Sequence, residues 1–369
     1  MFHLHHSALA FSLILAPCLL VAQAETTKAP PSAQDAWQGA FRAEEQRRAA
    51  EIWKTLAEQD PENATAQYNY FVSTRNTSLA RNNGSLPDEE KGKLKMIADD
   101  LDRKAPRSFE AHMARFHLQF PERSAFGALG AASAIDPARV ELLGPQLARA
   151  LMDSDDAAVR KWTDEIDKRG GISPALMDVA ADLLLSVDAD GIVITNGEMD
   201  TYPTLVKQRT FGLRRDVLVI DQRLLVDATY RKSCWARARA AGSPPGAGPD
   251  FVRGLLNATT RPVFLALSLD PIWARELNDE LYATGIALRY SHARVENIKA
   301  LETRWSGMHK NMYAGPLTVN YLLPGSVLLR HYRTVGNETK AARLEHELRA
   351  IAEVVHATKK LYQLGVIAH

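Results

Sequence analysis

Asn196, Glu198, Asp200 and Thr201 crowd four oxygen-bearing side chains into one short segment, directly after the β-branched run Ile192–Thr195. Hard divalent cations bind where several oxygen ligands converge. A carboxylate held beside a substrate can also act as a general base, and the same groups can hydrogen-bond a sugar or ribose hydroxyl. In an open α/β sheet, ligands bind beyond the carboxyl ends of the strands. Asp221 follows a second apolar run, Val217–Ile220, and with Gln222 would lie beside this turn if the two strands are neighbours. The candidate ligand-binding set is therefore Asn196, Glu198, Asp200, Thr201 and Asp221, with a divalent metal as the possible cofactor and no catalytic residue assigned. These residues equally suit a structural role, Asn196-Gly197 as a tight turn and Asp200-Thr201 as the cap of a following helix.

Other chemistry is thinly represented. Arg231, Trp235 and Arg239 recur at four-residue steps and share a helix face, where they could clasp an anion or form an ordinary solvated stripe. His112 and His117 are offset by about 140° around a helix, too far to pair on a metal. The sequence contains no Gly-x-Ser-x-Gly elbow, P-loop lysine motif or His-Glu-x-x-His pair. Gly127-Ala128-Leu129-Gly130 has no strand before it and so fails as a dinucleotide-binding loop. Cys234 has no recognisable partner and reads as a buried thiol.

The elements that must position the turn can be read along the 369 residues. Ala8–Val21 is apolar and Ala22-Gln23-Ala24 suits a cleavage site, so residues 1–24 are expected to be a signal peptide, an uncleaved anchor being the alternative. Export points to a periplasmic or secreted protein with no membrane span after signal cleavage. The formal charge of +1 gives no nucleic-acid footprint. Residues 25–185 read as helical, with Ala49, Trp53, Leu56 and Ala57 at helical spacing before a stop at Asp60-Pro61. Ala49 and Trp53 stand where tetratricopeptide repeats place a small residue and an aromatic, and Pro106 and Pro137 mark later stops at irregular intervals.

Across residues 186–294 short apolar runs alternate with helical stretches. The strand candidates are Gly191–Thr195, Asp216–Ile220, Pro262–Ala266 and Ile286–Tyr290, and helices are expected near Leu205–Thr210, Asp227–Ala241, Phe251–Asn257 and Trp273–Ala283. This alternation predicts a parallel sheet with crossover helices. Residues 295–369 return to helix, ending in an amphipathic stretch through Leu344, Leu348, Ile351 and Val355. The expected fold class is α/β plus α: an N-terminal helical-repeat region, a central Rossmann-like parallel sheet of about four strands, and C-terminal helical hairpins.

Three blocks carry a family resemblance. Thr195-Asn196-Gly197-Glu198-Met199-Asp200-Thr201-Tyr202-Pro203 is similar to a Thr-Asn-Gly-Asp-Asn-Asp-Thr-Phe/Tyr-Pro signature. Gly212–Ile220 follows it in the family's order, and Arg261–Ala266 with Gly285–Tyr290 resemble two later strands. Together they resemble the soluble C-terminal region of protein O-mannosyltransferase-like membrane proteins, over roughly residues 188–291. Glu198 and Met199 depart from the signature, and the multi-spanning part to which the family's sugar transfer is attributed has no counterpart in these residues. The resemblance implies an extracytoplasmic α/β module flanked by repeats, without carrying over an activity. The first functional expectation is thus a binding or scaffold protein for protein or glycan partners, its oligomeric state left open. The alternative is a divalent-metal- or nucleotide-sugar-dependent enzyme using the Glu198/Asp200 turn.

Overall fold

In the computed structural model, residues 32–82, 84, 86–277 and 280–367 are described. The expected signal segment, residues 1–24, lies outside them. Helices Ala43–Gln59, Ala64–Arg81, Asp88–Lys104 and Phe109–Gln119 run in sequence, each against its neighbour, followed by Ala125–Ile135, Leu143–Met152, Asp156–Arg169 and Pro174–Leu185. Their starts are encoded locally. Asn63, Ser108 and Asp155 each accept the backbone N–H three residues on, supplying acceptors that a helix N-terminus otherwise lacks. Among the described residues no helix is long and apolar enough to cross a membrane.

The sheet overturns the expected Rossmann-like arrangement. It comprises β1 (Ile192–Thr195), β2 (Leu218–Asp221), β3 (Val263–Ala266), β4 (Leu281–Ala283) and β5 (Ala287–Tyr290), in the order β2-β1-β3-β5-β4. β1 pairs in parallel with both β2 and β3, but β5 runs antiparallel between β3 and β4. The molecule is mostly helical with one small mixed sheet, not a layer of four parallel strands. The cause lies in one connection. The helix expected over Trp273–Ala283 ends at Glu276, and Leu281–Ala283 becomes a strand instead. Only the short turn Thr284-Gly285-Ile286 then separates β4 from β5, too little chain for a parallel crossover. Gly285 has φ +139°, and a Cβ there would lie 2.2 Å from Ser186 Oγ, so the turn closes where a side chain cannot fit.

β1 and β3 are buried along their whole length, in keeping with central strands covered on both faces. Helix Glu338–Val354 buries Leu344, Leu348 and Ile351 against Leu322–Thr334. One continuous apolar core joins helices and sheet.

Candidate functional site

The turn after β1 is built around Asp200. Gly197 has φ +130°, and the chain then folds back so that both Asp200 carboxylate oxygens accept the Asn196 N–H, at 3.1 and 2.9 Å. The Ser268 hydroxyl donates to the same carboxylate. Asp200 precedes helix Thr201–Arg209, yet its side chain does not cap that helix; it closes its own turn. Burial raises the Asp200 pKa, opposed by the hydrogen bonds from Ser268 and Asn196. Thr201 Oγ1 lies 2.7 Å from Thr195 Oγ1, which donates to the Ile220 carbonyl of β2 at 3.1 Å.

The neighbouring strand completes the knot. The Asn196 side chain donates to the Ser268 carbonyl at 2.7 Å and accepts from Gln222 Nε2 at 3.1 Å. Asp221 is buried and accepts from three Arg223 donors: the backbone N–H at 3.0 Å, Nε shared between both oxygens at 3.1 and 3.3 Å, and Nη2 at 2.8 Å. The Arg223 guanidinium lies over the rings of Phe120 and Tyr202, and against Gly197, where a Cβ would lie 2.6 Å from Nε. Gly197 thus serves both the backbone reversal and the passage of Arg223.

Glu198 points the other way, into the helical layer. Its Oε1 accepts from Arg75 Nη2 at 3.2 Å, with only 14% and 10% of the two side chains exposed. Arg75 projects from helix Ala64–Arg81, and its Nε and Nη1 are buried without a hydrogen-bond partner. Such orphaned donors are costly, because their solvation is lost and not replaced. Asp35 lies in the same field, its carboxyl pushed up to about 7 by burial and then by the charge of Glu198, with Arg75 opposing. Asp35 accepts from Trp37 Nε1 at 3.3 Å and forms a reciprocal capping box with Gln38. Tyr68, on the Arg75 helix, lies 3.4 Å from His117 Nε2. Burial, reinforced by Arg75, holds His117 well below the ordinary imidazole range.

The structure therefore gathers all five expected site residues at the carboxyl edge of β1 and β2, but assigns each an internal partner. Asp200 holds a backbone amide, Asp221 holds Arg223 and Glu198 holds Arg75. Among the described residues no group of three or more His, Cys, Asp and Glu side chains is placed to hold a metal ion. The Arg231–Trp235–Arg239 stripe does not form a clasp either. Arg231 binds the Val226 carbonyl at 2.9 Å, Trp235 is buried and Arg239 pairs with Asp190. Cys234 is buried, its thiol pushed up to about 12 by that burial.

Sequence reasoning missed Arg75, Asp35 and Arg223, and considered His117 only as a metal partner for His112. One signal was readable: Asp35-Ala-Trp-Gln38 has capping-box spacing just after the Pro-rich segment. Arg75 was hidden because its helix carries polar residues all round and buries Gln67, Asn69, Ser73 and Asn76.

The family described as TMEM260-associated domain 2 matches residues 176–242, a span that includes β1, the Asn196–Thr201 turn, β2 and Arg223. No curated protein and no solved structure matches the chain.

Proposed function

We propose that this chain is an exported binding or scaffold protein that engages a protein or glycan partner, with the turn after β1 serving as an internal joint. One observation carries the reading: Glu198, Asp200 and Asp221 are each engaged by groups of the chain itself. These internal partners account for the placement of all three carboxylates as structural groups, which favours a structural turn over a catalytic or metal-binding one. The overlap of the residue 176–242 match with the resemblance to the O-mannosyltransferase-like soluble region supports an accessory module. Fold-level likeness alone assigns no activity.

A surface with suitable composition lies in the helical layer. Lys54, Ala57, Pro61, Tyr70, Met96 and Ile97 border a groove of about 440 Å³, and Met96 is 73% exposed. Exposed apolar side chains grouped in a groove with a polar rim mark a candidate interaction surface. The test is a thermal-shift measurement of the purified chain with divalent cations, nucleotide sugars and neutral oligosaccharides, beside Asp200→Ala. Stabilisation by oligosaccharide that survives in Asp200→Ala but is lost in Met96→Asp supports the reading. Stabilisation by a metal or nucleotide sugar that disappears in a folded Asp200→Ala variant overturns it and restores the enzyme alternative.

A further inference from the structure

Away from the β1 turn, a buried carboxylate fixes one nitrogen of an exposed histidine and leaves the other facing a second carboxylate. Asp178 and Asp182 stand four residues apart on one face of helix Pro174–Leu185. His309 follows helix Ile298–Gly307 and bonds to that face. Asp182 is 1% exposed and accepts four hydrogen bonds: from the His309 N–H at 3.0 Å and Nδ1 at 2.8 Å, from the Lys310 N–H at 3.1 Å, and from the Tyr321 hydroxyl at 2.7 Å. A carboxylate surrounded by donors serves only as an acceptor, so Nδ1 carries the proton and Nε2 of the neutral ring presents a lone pair. The His309 side chain is 51% exposed, and its Nε2 lies 4.0 Å from Asp178 Oδ1, too far for a hydrogen bond. Asp178 is oriented in turn. Asn311 Oδ1 accepts the Tyr313 N–H at 2.8 Å, and Asn311 Nδ2 donates to Asp178 Oδ2 at 2.8 Å. The Lys310 ammonium is held by the Trp305 and Met308 carbonyls, at 2.7 and 3.1 Å.

A nitrogen lone pair and a carboxylate oxygen thus face each other across a gap that a metal ion can bridge. Zinc, with bonds of about 2.0–2.2 Å, brings two such ligands to roughly 3.4 Å in tetrahedral geometry, a closure of about 0.6 Å that lies within reach of a rotation of the part-exposed Asp178 carboxylate. Metal-binding histidines characteristically donate their other ring N–H to a carboxylate, and metal-binding carboxylates are themselves hydrogen-bonded. Asp182 and Asn311 fill those two supporting places. We propose that His309 Nε2 and Asp178 bind a divalent transition-metal ion of the zinc type, with water in the remaining coordination positions. The imidazole ligand selects against magnesium and calcium, which take oxygen ligands. The site is independent of the role proposed for the β1 turn.

The experiment is isothermal titration of the full chain with zinc chloride at about pH 7.5, above the ordinary imidazole range. It uses a His3→Gln/His5→Gln/His6→Gln background, which removes the competing imidazoles at the start of the chain. Zinc binding is expected, with no magnesium binding under the same conditions. His309→Gln should bind zinc at least about tenfold more weakly. Asp178→Asn keeps an acceptor for Asn311, so folding should be retained, as circular dichroism would confirm, and zinc binding should weaken by a similar factor. Asp200→Ala should bind zinc as tightly as the unaltered chain, which separates this site from a metal held by the β1 turn. No zinc binding, unchanged affinity in His309→Gln or Asp178→Asn, magnesium binding of equal strength, or loss of zinc binding in a folded Asp200→Ala variant would each overturn the proposal.

Discussion

Asp35 and Glu198 are both carboxyls in a buried field with one arginine, but only Glu198 is directly bonded to it. The consequence for pH follows from linkage. The folded Asp35 pKa of about 7 lies above its ordinary value of 3.8, so the native state holds this proton more tightly than the unfolded chain. Its contribution is fully present below about pH 4 and is lost as pH rises towards 7. His117 has the opposite sign. Its folded pKa is depressed, so the stability it contributes is present above the ordinary imidazole value and lost as pH falls below it. Asp35→Asn keeps a capping oxygen and removes the ionisation. Chemical denaturation at pH 8 should find it more stable than the unaltered chain, by roughly 1–3 kcal/mol. At pH 4.5, where Asp35 is largely protonated in the fold, the difference should shrink. An equal or larger gain at the lower pH would contradict the assigned ionisation.

At the scale of elements, the β4–β5 hairpin decides the sheet. Gly285→Val would force a side chain against Ser186 Oγ and Met308 Cε, in a backbone region β-branched residues avoid. A loss of about 2–4 kcal/mol is expected in thermal or urea unfolding; a loss below about 0.5 kcal/mol would mean the turn relaxes without cost. The same hairpin marks where legibility failed. β1, β2, β3 and β5 lie where the apolar runs place them, because strands buried along most of their length, the edge strand β2 included, leave short continuous apolar segments. β4 is three residues long and only partly buried at Leu281 and Tyr282, so it leaves no such run and blends into a helical pattern. Strand direction is set by the length of a connection, and one misread helix boundary reversed the reading of the edge. The β1 turn was legible as a cluster of polar groups. Its partners were not: Arg75 stands 123 residues from Glu198, and no local pattern encodes that contact.

Over the whole molecule, the segment from Ala33 to Gly39 works as a strap. Ala33 N–H donates to Asn69, Gln34 O accepts from Asn76, and Gln38 Nε2 donates to the Gly170 carbonyl at 2.5 Å. Trp37 is 1% exposed, packed edge-on to Tyr202, and a Cβ on Gly170 would lie 2.9 Å from its ring. Its ring thus joins the end of helix Asp156–Arg169 to the helix after β1, while its main-chain carbonyl accepts the Ser173 N–H at 3.2 Å. Trp37→Ala should cost about 3–5 kcal/mol, the range for an emptied buried aromatic site. Limited proteolysis should then cut first near residues 32–42, and a protease pattern identical to that of the unaltered chain would show that the strap holds without its anchor.

The strap also sets an order of events during synthesis. A ribosome makes Trp37 long before Gly170, Ser173 and Tyr202, so an early-emerging indole must wait, exposed, until its socket has been translated and packed. Contacts of such long sequence separation form slowly, and unsatisfied apolar groups in that interval invite misassociation. Ala33 and Gln34 can find Asn69 and Asn76 early, but Trp37 is among the last side chains to reach its place, leaving a window in which a chaperone would find this tryptophan uncovered.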